Sequence, residues 1–211
     1  MYTIRKLAIV AFLSLCAPIQ ANAGLISADD AVFGVGSVTR DTTTGFEFLD
    51  LSVTRGLSYN QVQAQLGSTF AGWQIATLAQ VQDLMVAGGL SIENNGGTLH
   101  TGTASELATI GNLAAFLGDT IADARTGFSA ITGTAPFVGS HYVVEVWYLN
   151  SLVRNETMTA LALGDHEAGS SIATFLVRST SQDEVPVPGA LSLMGFGVFG
   201  LSALRRRTTR D

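Results

Sequence analysis

Residues 190–204 run for fifteen positions without a charge, Ala-Leu-Ser-Leu-Met-Gly-Phe-Gly-Val-Phe-Gly-Leu-Ser-Ala-Leu, and this stretch limits the fold more than any other. It withdraws the C-terminus from any water-soluble core. As a helix rising ~1.5 Å per residue it would reach roughly 22 Å, against a hydrocarbon thickness of about 30 Å, so it spans a bilayer only with local thinning or with its ends snorkelling. Gly195, Gly197 and Gly200 weaken that helix by up to ~1 kcal/mol each relative to Ala. Arg205, Arg206 and Arg207 follow at once, with Arg210 close behind, and the positive-inside rule assigns that end to the cytoplasm. The reading is a short, temporary anchor with the rest of the chain outside.

The N-terminus agrees with export. Arg5 and Lys6 precede an uncharged apolar run over residues 7–17, and Ala21 and Ala23 stand at the two positions a signal peptidase reads, so residues 1–23 form a signal peptide cleaved before Gly24. Cys16 is the single cysteine and lies inside the discarded segment. With Leu15 before it, a lipoprotein signal is not expected, and the mature chain carries no thiol, disulfide or thiolate metal ligand.

The tail as a whole, Val185-Pro186-Val187-Pro188-Gly189-Ala190, then the glycine-spaced apolar run, then the arginine stop, resembles the PEP-CTERM family of C-terminal sorting signals. Val187 stands where the commonest form has Glu, as in Val-Pro-Leu-Pro variant tails. The resemblance implies a Gram-negative host, cleavage near the proline motif by a membrane exosortase, and release or attachment at the cell surface, often within an exopolysaccharide matrix or biofilm. The plainer reading is an ordinary single-span anchor.

Between the two ends, residues 24–184 make one domain of ordinary size with room for a proper core. Sixteen of the seventeen acids stay in this body, with only Arg40, Arg55, Arg125, Arg154 and Arg178 and no lysine, which leaves it near −11. Nucleic acid as a partner is excluded on charge, because phosphate binding needs clustered cations. The mean hydropathy of +0.35 reflects the apolar ends and does not make the body a membrane domain.

The spacing predicts a first strand over 31–39, turn chemistry over 41–45, and a half-buried strand over 46–51 in which Phe46, Phe48 and Leu49 alternate with Glu47 and Asp50. Ser58 with Gln61, Thr77 with Gln80, and Thr103 with Glu106 each open a helix; the last two carry Val81, Leu84 and Met85, and Leu107, Ile110, Leu113, Ala114 and Leu117, inward. Glycines at 67, 88 and 118 close them. Residues 93–102 read as a surface loop. The β-branched and aromatic runs 141–150, 156–163 and 172–178 read as an antiparallel meander, giving an α+β domain with helices first, strands afterwards and no parallel crossover.

Asp41, Thr44-Gly45, Phe48 and Asp50, then Gly72-Trp73-Gln74-Ile75-Ala76-Thr77, Val146-Trp147-Tyr148-Leu149-Asn150 and Phe175-Leu176-Val177-Arg178 are similar in order to the Lcl C-terminal (DUF1566) domain. That resemblance implies a C-type-lectin-like fold over about 41–178 and a saccharide-binding alternative. Trp73 and Trp147 read as core plugs burying ~200 Å2 each, with an exposed sugar-stacking platform as the other reading.

Chemistry is thinly signalled. Asp165-His166-Glu167 is the one tight titratable trio, readable as a metal or general-base site for a hydrolase or as a solvated hairpin tip. His100 and His141 stand alone, without zinc-ligand spacing. Asp41, Asp50 and residues 93–97 offer oxygens to calcium without the spacing of an EF-hand. Asn155-Glu156-Thr157 matches a glycosylation sequon by chance. No nucleophile elbow, phosphate loop or dinucleotide fingerprint is present. The expectation is a non-enzymatic exported protein with no cofactor, met by signal peptidase, by an exosortase and transiently by the membrane.

Overall fold

The structure, a computed structural model, describes residues 24–92, 98–121 and 123–180. The signal peptide, the sorting tail with its span and arginine stop, and loop 93–97 therefore lie outside the described residues. Among those described, no helix is long and apolar enough to cross a membrane.

The chain begins with a hairpin of β1 (Leu25–Asp30) and β2 (Gly34–Asp41), paired from Leu25 opposite Asp41 to Asp30 opposite Gly34. A single strand over 31–39 was expected. Instead the Asp30 carboxylate accepts the Val32 and Phe33 amides and folds residues 31–33 into a turn. After β3 (Phe46–Leu49), Asp50 caps a 3-10 turn, Leu51–Val53, by accepting from the Ser52 amide.

The three predicted helices form: α1 (Tyr59–Gln65), α2 (Leu78–Ala87) and α3 (Ala104–Leu117). Ser58 with Gln61 and Thr77 with Gln80 make complete reciprocal capping boxes. The predicted inward residues of α2 are fully buried, as are Ile110, Leu113, Ala114 and Leu117 of α3, with Leu107 half-buried at the edge. Gly118 ends α3 at φ +86°, and a Cβ there would sit 2.1 Å from Asp50 Oδ1, so both conformation and close approach require glycine.

The remaining strands are β4 (Gln74–Ile75), β5 (His100–Thr101), β6 (Thr126–Ile131), β7 (Ser140–Leu149), β8 (Leu152–Gly164), β9 (Ile172–Thr174) and β10 (Leu176–Ser179). They build two five-stranded sheets, β1-β2-β3-β10-β4 and β5-β8-β7-β6-β9. The domain is a mixture of helix and sheet, as expected, but the segregated order is corrected: the N-terminal half supplies strands to both sheets, and β9 pairs in parallel with β6. The run 172–178 is not one strand. Phe175, fully buried, donates its amide to the Ile131 carbonyl and accepts from the Ala76 amide, so the chain steps from one sheet to the other at a single residue. Thr54 locks this step: its hydroxyl donates to the Thr174 carbonyl and accepts from the Thr174 amide.

The main core lies where α2 and α3 meet both sheets, around Phe48, Leu84, Ile110, Phe128, Val146 and Phe175. A second cluster, Val38, Leu49, Val62, Phe70, Trp73 and Leu176, covers the other face of the first sheet. With both faces covered, Glu47 does not face solvent as alternation implied; it is 4% exposed. The carboxylate is matched across the ladder by its two register partners, Arg40 at 2.6 Å and Arg178 at 2.7 Å. Arg178 also holds Asp30 at 2.7 Å and lies 4.3 Å over the Trp73 ring. Burial alone would raise the Glu47 pKa, but the hydrogen bonds and charge of Arg40 and Arg178 outweigh it and hold the carboxyl below its usual range. Asp30 is lowered in the same way, by backbone amides and Arg178 acting against burial.

Candidate functional site

Among the described residues a polar cleft of about 270 Å3 lies at the start of α3, lined by Gly89, Leu90 and Ser91 after α2, by the cap Thr103 and by Ser105, Glu106 and Thr109 of α3, and by Asn155 of β8. Its local construction departs from the other helix starts. Thr103 caps α3 by accepting from the Glu106 amide, but Glu106 does not complete the box. Its carboxylate turns to His100 Nε2, at 3.0 and 3.2 Å from the two oxygens. His100 is delivered by β5, whose pairing sets it opposite Val153 of β8, two residues before Asn155. The tight passage from β5 to α3 depends on Gly102, where a Cβ would meet Val153 at 2.4 Å.

Asn155 is 1% exposed. Its Nδ2 donates to the Ser91 carbonyl at 3.0 Å, and its Oδ1 has no hydrogen-bond partner. Buried amide oxygens are ordinarily paired, so this one marks unused capacity. The buried, engaged amide also fits the reading of the Asn155 sequon as coincidence.

The other sequence candidates fall elsewhere. Asp165 and His166 do not converge: His166 and Glu167 are exposed, whereas Asp165 Oδ1 lies 2.9 Å from His141 Nδ1. The Tyr59 ring stacks on His141 with centroids 3.6 Å apart and planes at 14°. The Asp165 carbonyl accepts from the Asn60 amide. This is a clamp holding the start of α1 against the β7–β8 hairpin, and the hydrolase pairing of Asp165 with His166 is corrected to a structural pairing with His141. Burial and the Asp165 charge together raise the Tyr59 phenol. His141 stands alone in the sequence because its partner is 24 residues away.

Asp41 and Asp50 are spent locally, Asp41 on the Thr43 amide and the Thr44 hydroxyl and Asp50 on the Ser52 amide. Among the described residues no three His, Cys, Asp or Glu side chains cluster as a metal site. Trp73 and Trp147 are buried at 4% and 8% exposure, each with a guanidinium over its ring, Arg178 and Arg125 respectively. Neither offers a free stacking face on that side. Trp147 Nε1 donates to Glu145, and Arg154 bridges Glu145 and Glu156 at 2.9 and 2.7 Å.

Comparison with family models, with curated proteins and with solved structures gives no match.

Proposed function

We propose that this protein is a non-enzymatic exported surface or matrix protein, delivered by its N-terminal signal peptide and sorted through an exosortase-type C-terminal tail in which Val185, Pro186, Val187, Pro188, Gly189 and Ala190 form the recognition segment and Arg205, Arg206 and Arg207 the membrane stop. The observation that carries the reading is the order of proline motif, short apolar span and arginines in residues 185–207. The architecture of the body is consistent with it. The compact unit ends at Ser179, six residues before the sorting segment begins at Val185. The last strand, β10, is hydrogen-bonded on both sides, between β3 and β4. A load applied through the tail would therefore act along a strand held by two ladders, which suits a body tethered from its C-terminus. The acidic surface keeps such a body soluble outside the cell.

The test follows an epitope placed in the exposed Phe137–Val138 loop. In cells with an active exosortase the tagged body is expected at the surface or in the medium, shortened by the tail. A chain retained in the inner membrane at its full signal-cleaved length overturns the reading.

A further inference from the structure

We infer that the cleft at the start of α3 is a binding site for one neutral polyhydroxylated unit, a single sugar residue or a polyol of that size. The inference goes beyond the sorting reading and does not depend on it.

Four observations define the ligand. The first is the unpartnered Asn155 Oδ1, which asks for a hydrogen-bond donor. Because Nδ2 is committed to the Ser91 carbonyl, the amide cannot turn over to hide that need. The second is the lining, to which the hydroxyl-bearing residues Ser91, Thr103, Ser105 and Thr109 contribute together with Glu106. Hydroxyls both donate and accept, so the complementary ligand also presents groups that do both. The third is charge. An anion would face the Glu106 carboxylate and the strongly acidic body, while a cation would meet the positive end of the fourteen-residue α3 and a carboxylate already occupied by His100. Neither sign is favoured, and a neutral polyol meets every wall. The fourth is size: about 270 Å3 falls just below the ~300–1,000 Å3 of pockets that enclose drug-sized ligands, which leaves room for one ring and not for an extended chain.

Recognition would then run through a ligand hydroxyl donating to Asn155 Oδ1, which is closed to water in the unbound protein, so binding requires the lining to give enough for that hydroxyl to reach it. The Glu106–His100 pair keeps the carboxylate in a fixed orientation as a second acceptor.

The experiment is an amide-resolved NMR titration of the mature protein with a panel of neutral methyl hexosides, pentosides, N-acetylhexosaminides and glycerol, with calcium chloride and sodium sulfate as separate arms. Saturable shifts at Gly89, Leu90, Ser105 and the Asn155 side-chain amide with at least one glycoside are expected, and none at these groups with calcium or sulfate. Thr109→Leu fills the cleft from the helix surface and is expected to weaken binding at least tenfold while leaving the rest of the spectrum in place. Asn155→Ala removes the acceptor and is expected to do the same, and a spectrum still dispersed shows that its loss of binding is not loss of fold. The proposal is overturned if no glycoside shifts these groups, if only calcium or sulfate does, or if Thr109→Leu binds as well as the unaltered protein.

Discussion

Glu47→Gln isolates the ion network on the first sheet without altering its shape. The carboxylate accepts from Arg40 Nε at 2.9 Å and Nη2 at 2.6 Å through one oxygen, and from Arg178 Nε at 2.7 Å through the other. An amide replaces one acceptor with a donor facing a guanidinium and removes the charge that both cations meet. The Arg178 side is the more enclosed, its side chain 29% exposed and braced on Trp73, so its charge-assisted bond carries about 2 kcal/mol. The Arg40 side chain is 42% exposed, and solvent screening reduces its share to about 0.5–1 kcal/mol. The expected loss near pH 7 is therefore about 3 kcal/mol, below the upper end for breaking a fully buried pair. In urea, with an m-value of about 2 kcal/mol/M, that moves the unfolding midpoint down by about 1.5 M. Tryptophan fluorescence can follow it, since Trp73 sits against Arg178. The pH dependence is a second check. The folded-state pKa of Glu47 lies below its ordinary value, so the stabilisation is complete above the unfolded pKa of about 4.3 and is lost as pH falls through the folded one. The difference between the two proteins should hold from pH 7 down to about 5 and shrink below about 4. A variant within ~0.5 kcal/mol of the unaltered protein at pH 7, or a gap unchanged at pH 3, refutes the reasoning.

Three further outcomes follow from other contacts. Thr54→Val leaves both the Thr174 amide and carbonyl without their reciprocal hydroxyl in a buried site, and should cost about 1–3 kcal/mol in the same urea assay. Gly118→Ala must take φ +86° and displace Asp50, so a loss above about 2 kcal/mol is expected, measured as a drop in melting temperature; a neutral result would mean that α3 ends differently. Asp165→Asn removes the charge that, after burial, raises the Tyr59 phenol, so phenolate formation followed by ultraviolet absorbance should shift to lower pH while remaining above the free-tyrosine range; no shift would mean that Asp165 does not face Tyr59 in solution.

Local rules were legible because they depend on neighbours a few residues apart. Ser58 with Gln61 and Thr77 with Gln80 predict helix starts that the structure realises in full, and the 3.6-residue spacing of Val81, Leu84 and Met85 predicts the buried face of α2. The same rule places the start of α3 correctly at Thr103 and misses only the reciprocal half of the box, since the Glu106 carboxylate goes instead to His100, on a strand whose position is set by pairing with β8. The cleft was invisible for that reason: its hydroxyls, Glu106 and Asn155 lie on separate elements that only packing brings together. His141 reads as isolated until the β7–β8 pairing carries Asp165 back to it.

What the sequence determined alone is therefore the division of the chain into apolar ends and an acidic, cysteine-free body, together with the positions of three helices, since charge, hydropathy and capping are local quantities. The tertiary structure decided which strands pair. Residues 172–179 satisfy strand propensity in either sheet, and the break at Phe175 exists because Ile131 on one side and Ala76 on the other each claim one of its backbone groups. It also decided that Glu47 is buried: alternation assigns a residue to a face, but only the packing of α1, Phe70 and Trp73 over that face removes it from water.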